Sequence, residues 1–226
     1  MEFNFNFERK TDPVDFIKTA KLHPRPVMFE NAQALADKIN YEDDYFFITG
    51  GQFVFGDFIE ALILQKDLKP SSVYITTLGL NENNIDSIVN IHDYLAEKVF
   101  LIVSTYYVSL EKNNKMKYMI SEFSGRDITV ATCASHTKTA LIESDKGNIT
   151  LFGSANLSSS ANLEETCLTH DPDIFAFNKS ICDEIIKKYT IIDGINKRTI
   201  FENNRRNTHA TLWQELNESR SSNNGT

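Results

Sequence analysis

The chain has 226 residues, 41% of them hydrophobic and 24% charged, with a formal net charge of −8. That length suits one domain of ordinary size, and the negative balance excludes a generic basic coat for nucleic acid. No apolar run approaches a membrane span, and three cysteines without metal-type spacing (Cys133, Cys167 and Cys182) read as buried reduced thiols, with no zinc pattern.

Met1 to Phe7 alternates apolar and polar residues and lacks the continuous core of a signal peptide, so the expected compartment is the cytoplasm. Asn31 is placed to cap a helix whose Ala32, Leu35, Ala36 and Ile39 share a face. Short β-branched or aromatic runs predict strands at Tyr45–Thr49, Val73–Leu78, Val99–Ser104 and Ile128–Cys133. Between them lie apolar stripes at helical spacing: Phe55, Phe58, Ile59, Leu62 and Ile63; Ile85, Ile88, Val89 and Leu95 behind an Asn81 cap; and Met116, Met119, Ile120 and Phe123. Gly50-Gly51 fits neither phosphate-loop pattern and reads as a strand-to-helix turn. His92 falls on an apolar helix face and reads as a hydrogen-bonded core histidine. Asp171-Pro172 opens a long helix as an N-cap followed by proline, which accounts for the acids beside His170 without a metal. Its Ile174, Phe177, Ile181, Ile185 and Tyr189 lie on one side. Alternating strands and helices predict an α/β fold with a mixed β-sheet sandwiched between helices, one domain over residues 1–193. Residues 194–226 form a polar extension that loses hydrophobic periodicity apart from Leu212, Trp213 and Leu216, with an end of disordered composition.

The chemistry-bearing stretch is Ser135-His136-Thr137-Lys138, followed by Gly153-Ser154-Ala155-Asn156 and then Asn162-Leu163-Glu164-Glu165. On an extended strand His136 and Lys138 point the same way. Lys138–Glu143 pairs naturally with Asn148–Phe152 across a turn carrying Asp145, Lys146 and Gly147. Such a hairpin returns Ser154 and Asn156 beside His136, where a hydroxyl and an amide bind phosphate oxygens or orient the imidazole. A neutral imidazole is a competent nucleophile toward phosphorus, and a lysine stabilises the charge that develops there.

These motifs resemble the His-x-Lys and Gly-Ser-x-Asn signature of the phospholipase D superfamily, and specifically its single-motif nuclease and phosphodiesterase branch. The resemblance implies a phospholipase D-like fold and metal-independent phosphodiester cleavage through a phosphohistidine, with no cofactor. It assigns catalysis to His136, Lys138, Asn156, Ser154 and Glu164, the last as the carboxylate that contacts the histidine, with Glu165 in reserve. The family's acidic motif position falls on Glu143, where the family has Asp, or on Asp145 two residues later. The family mechanism uses two histidines, one attacking and one protonating the leaving oxygen. None of His23, His92, His170 and His209 is followed two residues later by lysine, and no second Gly-Ser-x-Asn exists. The resemblance therefore implies a homodimer joined through the active-site face.

Nucleic acid is the expected substrate or ligand, with no membrane partner, and Lys197, Arg198, Arg205 and Arg206 are the basic cluster available to guide a phosphate backbone. Two other readings stay open: a nucleic-acid-binding or regulatory protein of weak or no activity, and a phospholipid phosphodiester hydrolase or transferase.

Overall fold

The computed structural model describes residues 14–18, 22–26, 32–41, 43–50, 55–110, 115–157, 163–195 and 198–199. In chain order the elements are β1 (Val14–Lys18), β2 (Leu22–Pro26), α1 (Ala32–Lys38), β3 (Tyr45–Thr49), α2 (Phe55–Gln65), β4 (Pro70–Thr77) and α3 (Glu82–Asn90). A π-helical turn (Ile91–Leu95) extends α3, followed by β5 (Val99–Ser104), α4 (Thr105–Leu110), α5 (Lys115–Phe123), β6 (Ile128–Cys133), β7 (Thr139–Ser144) and β8 (Gly147–Gly153). The last are β9 (Glu164–Thr169), α6 (Pro172–Tyr189), β10 (Thr190–Asp193) and β11 (Arg198–Thr199).

Nine strands form one mixed sheet in the order β11-β10-β6-β5-β4-β7-β8-β9-β3, while β1 and β2 pair with each other. β4, β5 and β6 are mutually parallel, and the remaining neighbours are antiparallel. Helices cover both faces, as expected. Val73, Ile75, Val99, Leu101, Val103, Ile128 and Val130 pack on one face with Leu35 of α1, Phe58 of α2, Ile88 of α3 and Met119 of α5. Tyr74, Ile102, Ala131 and Leu141 form the other face with Phe175 and Cys182 of α6. Central strands buried on both faces need near-continuous apolar runs, and β5 and β6 supply them.

Three of the four expected strands match their predicted bounds, and β4 begins earlier and ends one residue sooner than expected. The α3 cap is reciprocal: the Asn84 amide nitrogen donates to Asn81 Oδ1 at 3.0 Å, and that of Asn81 donates to Asn84 Oδ1 at 2.9 Å. At α6, Asp171 Oδ1 accepts from the backbone of Asp173 at 2.8 Å and of Ile174 at 3.1 Å. The side of α6 that faces the sheet is not the one its longest apolar stripe marks. Phe175 and Cys182 are buried, with Ile185 and Ile186 packed behind them. Ile174 (37%), Phe177 (65%) and Ile181 (43%) are exposed instead. The helix carries apolar residues on two sides, and Tyr74 decides between them: its hydroxyl donates to Asp183 Oδ1 at 3.0 Å, orienting α6 on the sheet.

Cys133 and Cys182 are buried and Cys167 is half-buried; burial pushes the thiol of Cys133 up to about 11 and that of Cys182 up to about 12, which makes both poor nucleophiles at neutral pH. Among the described residues no helix is long and apolar enough to cross a membrane.

Candidate active site at the carboxyl ends of the parallel strands

The parallel pairings bring the ends of β4, β5 and β6, at Thr77, Ser104 and Cys133, to one edge of the sheet. Antiparallel registers carry that edge onward, setting Thr139 against Thr76 and Phe152, Gly153 against Thr166, and Glu164 against Thr49. His136, Lys138, Ser154 and Asn156 lie on the segments that leave this edge and Glu164 opens β9 there, the side of an open α/β sheet where ligands usually sit.

The predicted hairpin forms as β7 and β8, with Ser144 opposite Gly147. Gly147 has φ +124°, a conformation that L side chains rarely adopt. His136 and Lys138 precede β7 and lie on irregular backbone, not on the strand expected to align them. They meet all the same: Lys138 Nζ is 2.9 Å from His136 Nδ1 and donates to the His136 carbonyl at 2.9 Å. His136 is exposed while Lys138 retains only 7% of its accessible surface. Burial pushes the Lys138 ammonium below the ordinary lysine value, and the charge of Glu164 pulls it partly back. A charged Lys138 donates to Nδ1 and thereby leaves the imidazole proton on Nε2.

Ser154 joins the two strands that frame the site. Its backbone nitrogen donates to the Glu165 carbonyl at 3.0 Å, the Glu165 nitrogen donates to Ser154 Oγ at 3.0 Å, and Ser154 Oγ donates to the Glu164 carboxylate. Glu164 thus reaches Ser154, where the resemblance had implied contact with the histidine. Glu165 contributes its backbone and turns its side chain to solvent. Asn156 Oδ1 accepts from the Leu78 nitrogen at 3.3 Å, which orients the amide and leaves its Nδ2 group as the outward donor.

Glu143 and Asp145 stand at the opposite end of β7. Glu143 Oε2 accepts from Ser72 Oγ at 2.7 Å, and Asp145 Oδ1 accepts from the Lys69 nitrogen at 3.0 Å, so both brace the hairpin against β4. Arg198 pairs with Asp193, which pairs with Thr129 near the start of β6; its backbone is at the far end of the sheet from His136. Lys197, Arg205 and Arg206 lie outside the described residues, as do Gly51, Asn31 and Asn162. Gly50 directly follows Thr49 and so lies at the site edge.

His92 sits on the π-helical turn, partly exposed, in a network rather than on an apolar face. Its Nε2 accepts from the Asp127 nitrogen at 3.0 Å, so Nδ1 carries the proton and donates to Asp93 at 2.7 Å. Asp93 also receives Arg126 Nε at 2.9 Å, and that guanidinium holds its carboxyl below the usual carboxylate range. Both ring nitrogens of His92 are therefore engaged structurally. His170 packs its ring against Tyr41 at 4.8 Å, and burial lowers its pKa. No group of three or more His, Cys, Asp or Glu among the described residues is arranged to hold a metal ion.

No protein-family model and no curated protein matches the chain. Solved structures do. NucT from Helicobacter pylori is 20% identical with a TM-score of 0.46, over 65% of this chain and 98% of that one. Nuc from Salmonella typhimurium, a phospholipase D family member, is 13% identical with a TM-score of 0.39, over 54% and 81%. Polyphosphate kinase from Porphyromonas gingivalis is 16% identical with a TM-score of 0.46, over 78% of this chain and only 28% of the kinase. The chain is similar in architecture to parts of these three structures. At 20% identity and below, that likeness says nothing of substrate or activity.

Three residues that motif reasoning passes over position the site. Thr76 Oγ1 accepts from the Thr139 nitrogen at 3.0 Å and from Thr137 Oγ1 at 3.2 Å, pinning the segment that carries His136 and Lys138. Asn84, besides capping α3, donates from Nδ2 to the Leu157 carbonyl at 3.0 Å and so anchors the loop after Asn156. Gly153 lies so close to β9 that an added Cβ would meet the Glu165 carbonyl oxygen at 2.0 Å. Of these only Gly153, inside the Gly-Ser pair, carries any mark in the sequence. Thr76 and Asn84 are separated from the motif by more than fifty residues, and only strand register makes them neighbours.

Proposed function

We propose that the chain is a metal-independent phosphodiesterase, acting first as a nuclease, whose active site forms where two copies meet. The observation that carries this reading is the 2.9 Å approach of a buried lysine to the exposed imidazole of His136 at the sheet edge. Together they offer a nucleophile beside a cation, as displacement at phosphorus requires. In the proposed reaction one His136 attacks through Nε2, forming a P–N bond as the P–O bond to the leaving group breaks. His136 of the second copy gives its proton to the departing oxygen. That histidine, now neutral, then takes a proton from water, whose oxygen attacks phosphorus and displaces the first imidazole. Lys138 and the Asn156 amide hold the non-bridging oxygens, while Ser154 and Glu164 keep the loop in register.

Lys138 bears on which copy does what. Donating to Nδ1, a charged lysine holds the ring neutral with its proton on Nε2; in the copy that serves as acid, Lys138 must leave Nδ1 so that a second proton binds there and gives the imidazolium that protonates the leaving oxygen. When a phosphate oxygen draws Lys138 away, the proton shifts to Nδ1 and Nε2 is freed to attack. A second reading, nucleic-acid binding without cleavage, is favoured by Glu164 meeting Ser154 instead of the histidine, since His136 then lacks a carboxylate orienter. The test incubates purified protein with single- and double-stranded DNA, RNA and an activated diester in EDTA, beside His136→Ala, with sedimentation of both. Chelator-resistant cleavage lost in the variant, from a dimeric protein, is the expected result. Binding without cleavage establishes the second reading, and a monomer at micromolar concentration overturns the two-histidine mechanism.

A further inference from the structure

α6 presents an apolar stripe that the described residues leave open. Ile174, Phe177 and Ile181 recur at the i, i+3 and i+7 positions of one helix face, and they are 37%, 65% and 43% exposed. Scattered exposed hydrophobics are ordinary, but three in line on one helix form a contiguous surface of the kind that takes a partner. The neighbouring face is already committed to the sheet through Phe175 and Cys182, so rolling the helix to bury the stripe would expose them.

The path of the chain points to the occupant. β11 runs antiparallel to β10, with Arg198 opposite Asp193 and Thr199 opposite Ile192. The direction of β11 therefore points toward the Thr190 end of β10, where α6 finishes at Tyr189. Beyond Thr199 the sequence passes Ile200-Phe201 and then stays polar up to Leu212-Trp213-Gln214-Glu215-Leu216, which carries the only tryptophan. The intervening twelve residues reach about 40 Å when extended, more than the roughly 27 Å length of an 18-residue helix. Spacing of i, i+1 and i+4 gives Leu212, Trp213 and Leu216 a common side on a helical turn. We propose that the stripe Ile174–Phe177–Ile181 is the docking surface for this chain's own Leu212–Leu216 segment. The contact straps the C-terminal extension across the outer layer of the fold, independently of any catalytic role.

Trp213 is the only tryptophan, so intrinsic fluorescence reports on this contact alone. In the full-length wild type its emission is blue-shifted and shielded from acrylamide, and both properties are unchanged on dilution. Phe177→Ser and Ile174→Ser, at exposed positions that leave the core intact, shift the emission to the red and remove most of the shielding. Phe177→Leu retains it. Leu64→Ser, which alters an equally exposed apolar residue on α2, changes nothing. Water-like emission in the wild type overturns the proposal, as does shielding that survives both serine variants. Shielding that fades on dilution in step with dissociation of a dimer overturns it in favour of a second copy as the occupant.

Discussion

Replacing Gly153 by alanine tests the link between sheet geometry and site. The added Cβ would stand 2.0 Å from the Glu165 carbonyl oxygen and 2.9 Å from Thr166 Cα, where real Cβ contacts essentially never fall below 3.0 Å. Both obstacles are backbone, so no side chain can swing aside, and β8 and β9 must part by about 1 Å at this point. That movement breaks the two 3.0 Å bonds between Ser154 and the Glu165 backbone. Two hydrogen bonds at about 1 kcal/mol each, with overpacking at about 1–3 kcal/mol, give a loss of roughly 3–5 kcal/mol. Against a typical stability of about 5–15 kcal/mol the variant still folds. Its site suffers more, because a misplacement of about 1 Å costs a reaction on the order of a hundredfold. Urea denaturation measures the first quantity and chelator-resistant cleavage of an activated diester the second. A Gly153→Ala protein whose stability lies within about 0.5 kcal/mol of wild type, the level of an ordinary surface substitution, would refute the reasoning.

Lys138→Met should raise stability while abolishing cleavage, since burial disfavours the ammonium in the folded state. The sign follows from the depressed folded pKa: wild type carries the cost of the buried charge below it and sheds that cost as pH rises toward the ordinary value of 10.5. The stability gap between variant and wild type, measured by urea denaturation across alkaline pH, therefore narrows. Thr76→Val keeps the side-chain shape but leaves the Thr139 nitrogen without its acceptor, a loss of about 1–3 kcal/mol. With the His136 segment loosened, kcat falls further than KM changes, and Thr76→Ser restores most of it. Asn156→Asp retains the acceptor for the Leu78 nitrogen but replaces the outward amide with a second oxygen facing phosphate. Thermal stability should stay near wild type while cleavage falls by on the order of 100- to 1,000-fold, the scale for a lost oxyanion donor; unchanged cleavage would remove Asn156 from the site.

Local chemistry was enough to write much of this molecule from its sequence. The Asn81 and Asp171 caps, the runs that became β3, β5 and β6, and the Asp145-Lys146-Gly147 turn follow from backbone sterics and hydrogen bonding within a few residues. The turn in turn fixed the return of Gly153, whose backbone nitrogen donates to the Lys138 carbonyl at 3.1 Å. Tertiary structure decided what depends on distant partners. It chose which apolar side of α6 faces the sheet, because Tyr74 and Asp183 are neighbours only after folding. It sent Glu164 to Ser154 and Glu143 to Ser72, since a carboxylate takes the nearest donor that strand register supplies. It also brought Thr76 beneath the His136 segment, from sixty residues away in the chain. The sequence by itself set an imidazole and a cation two residues apart. Their orientation rests on sheet register, which no stretch of sequence contains.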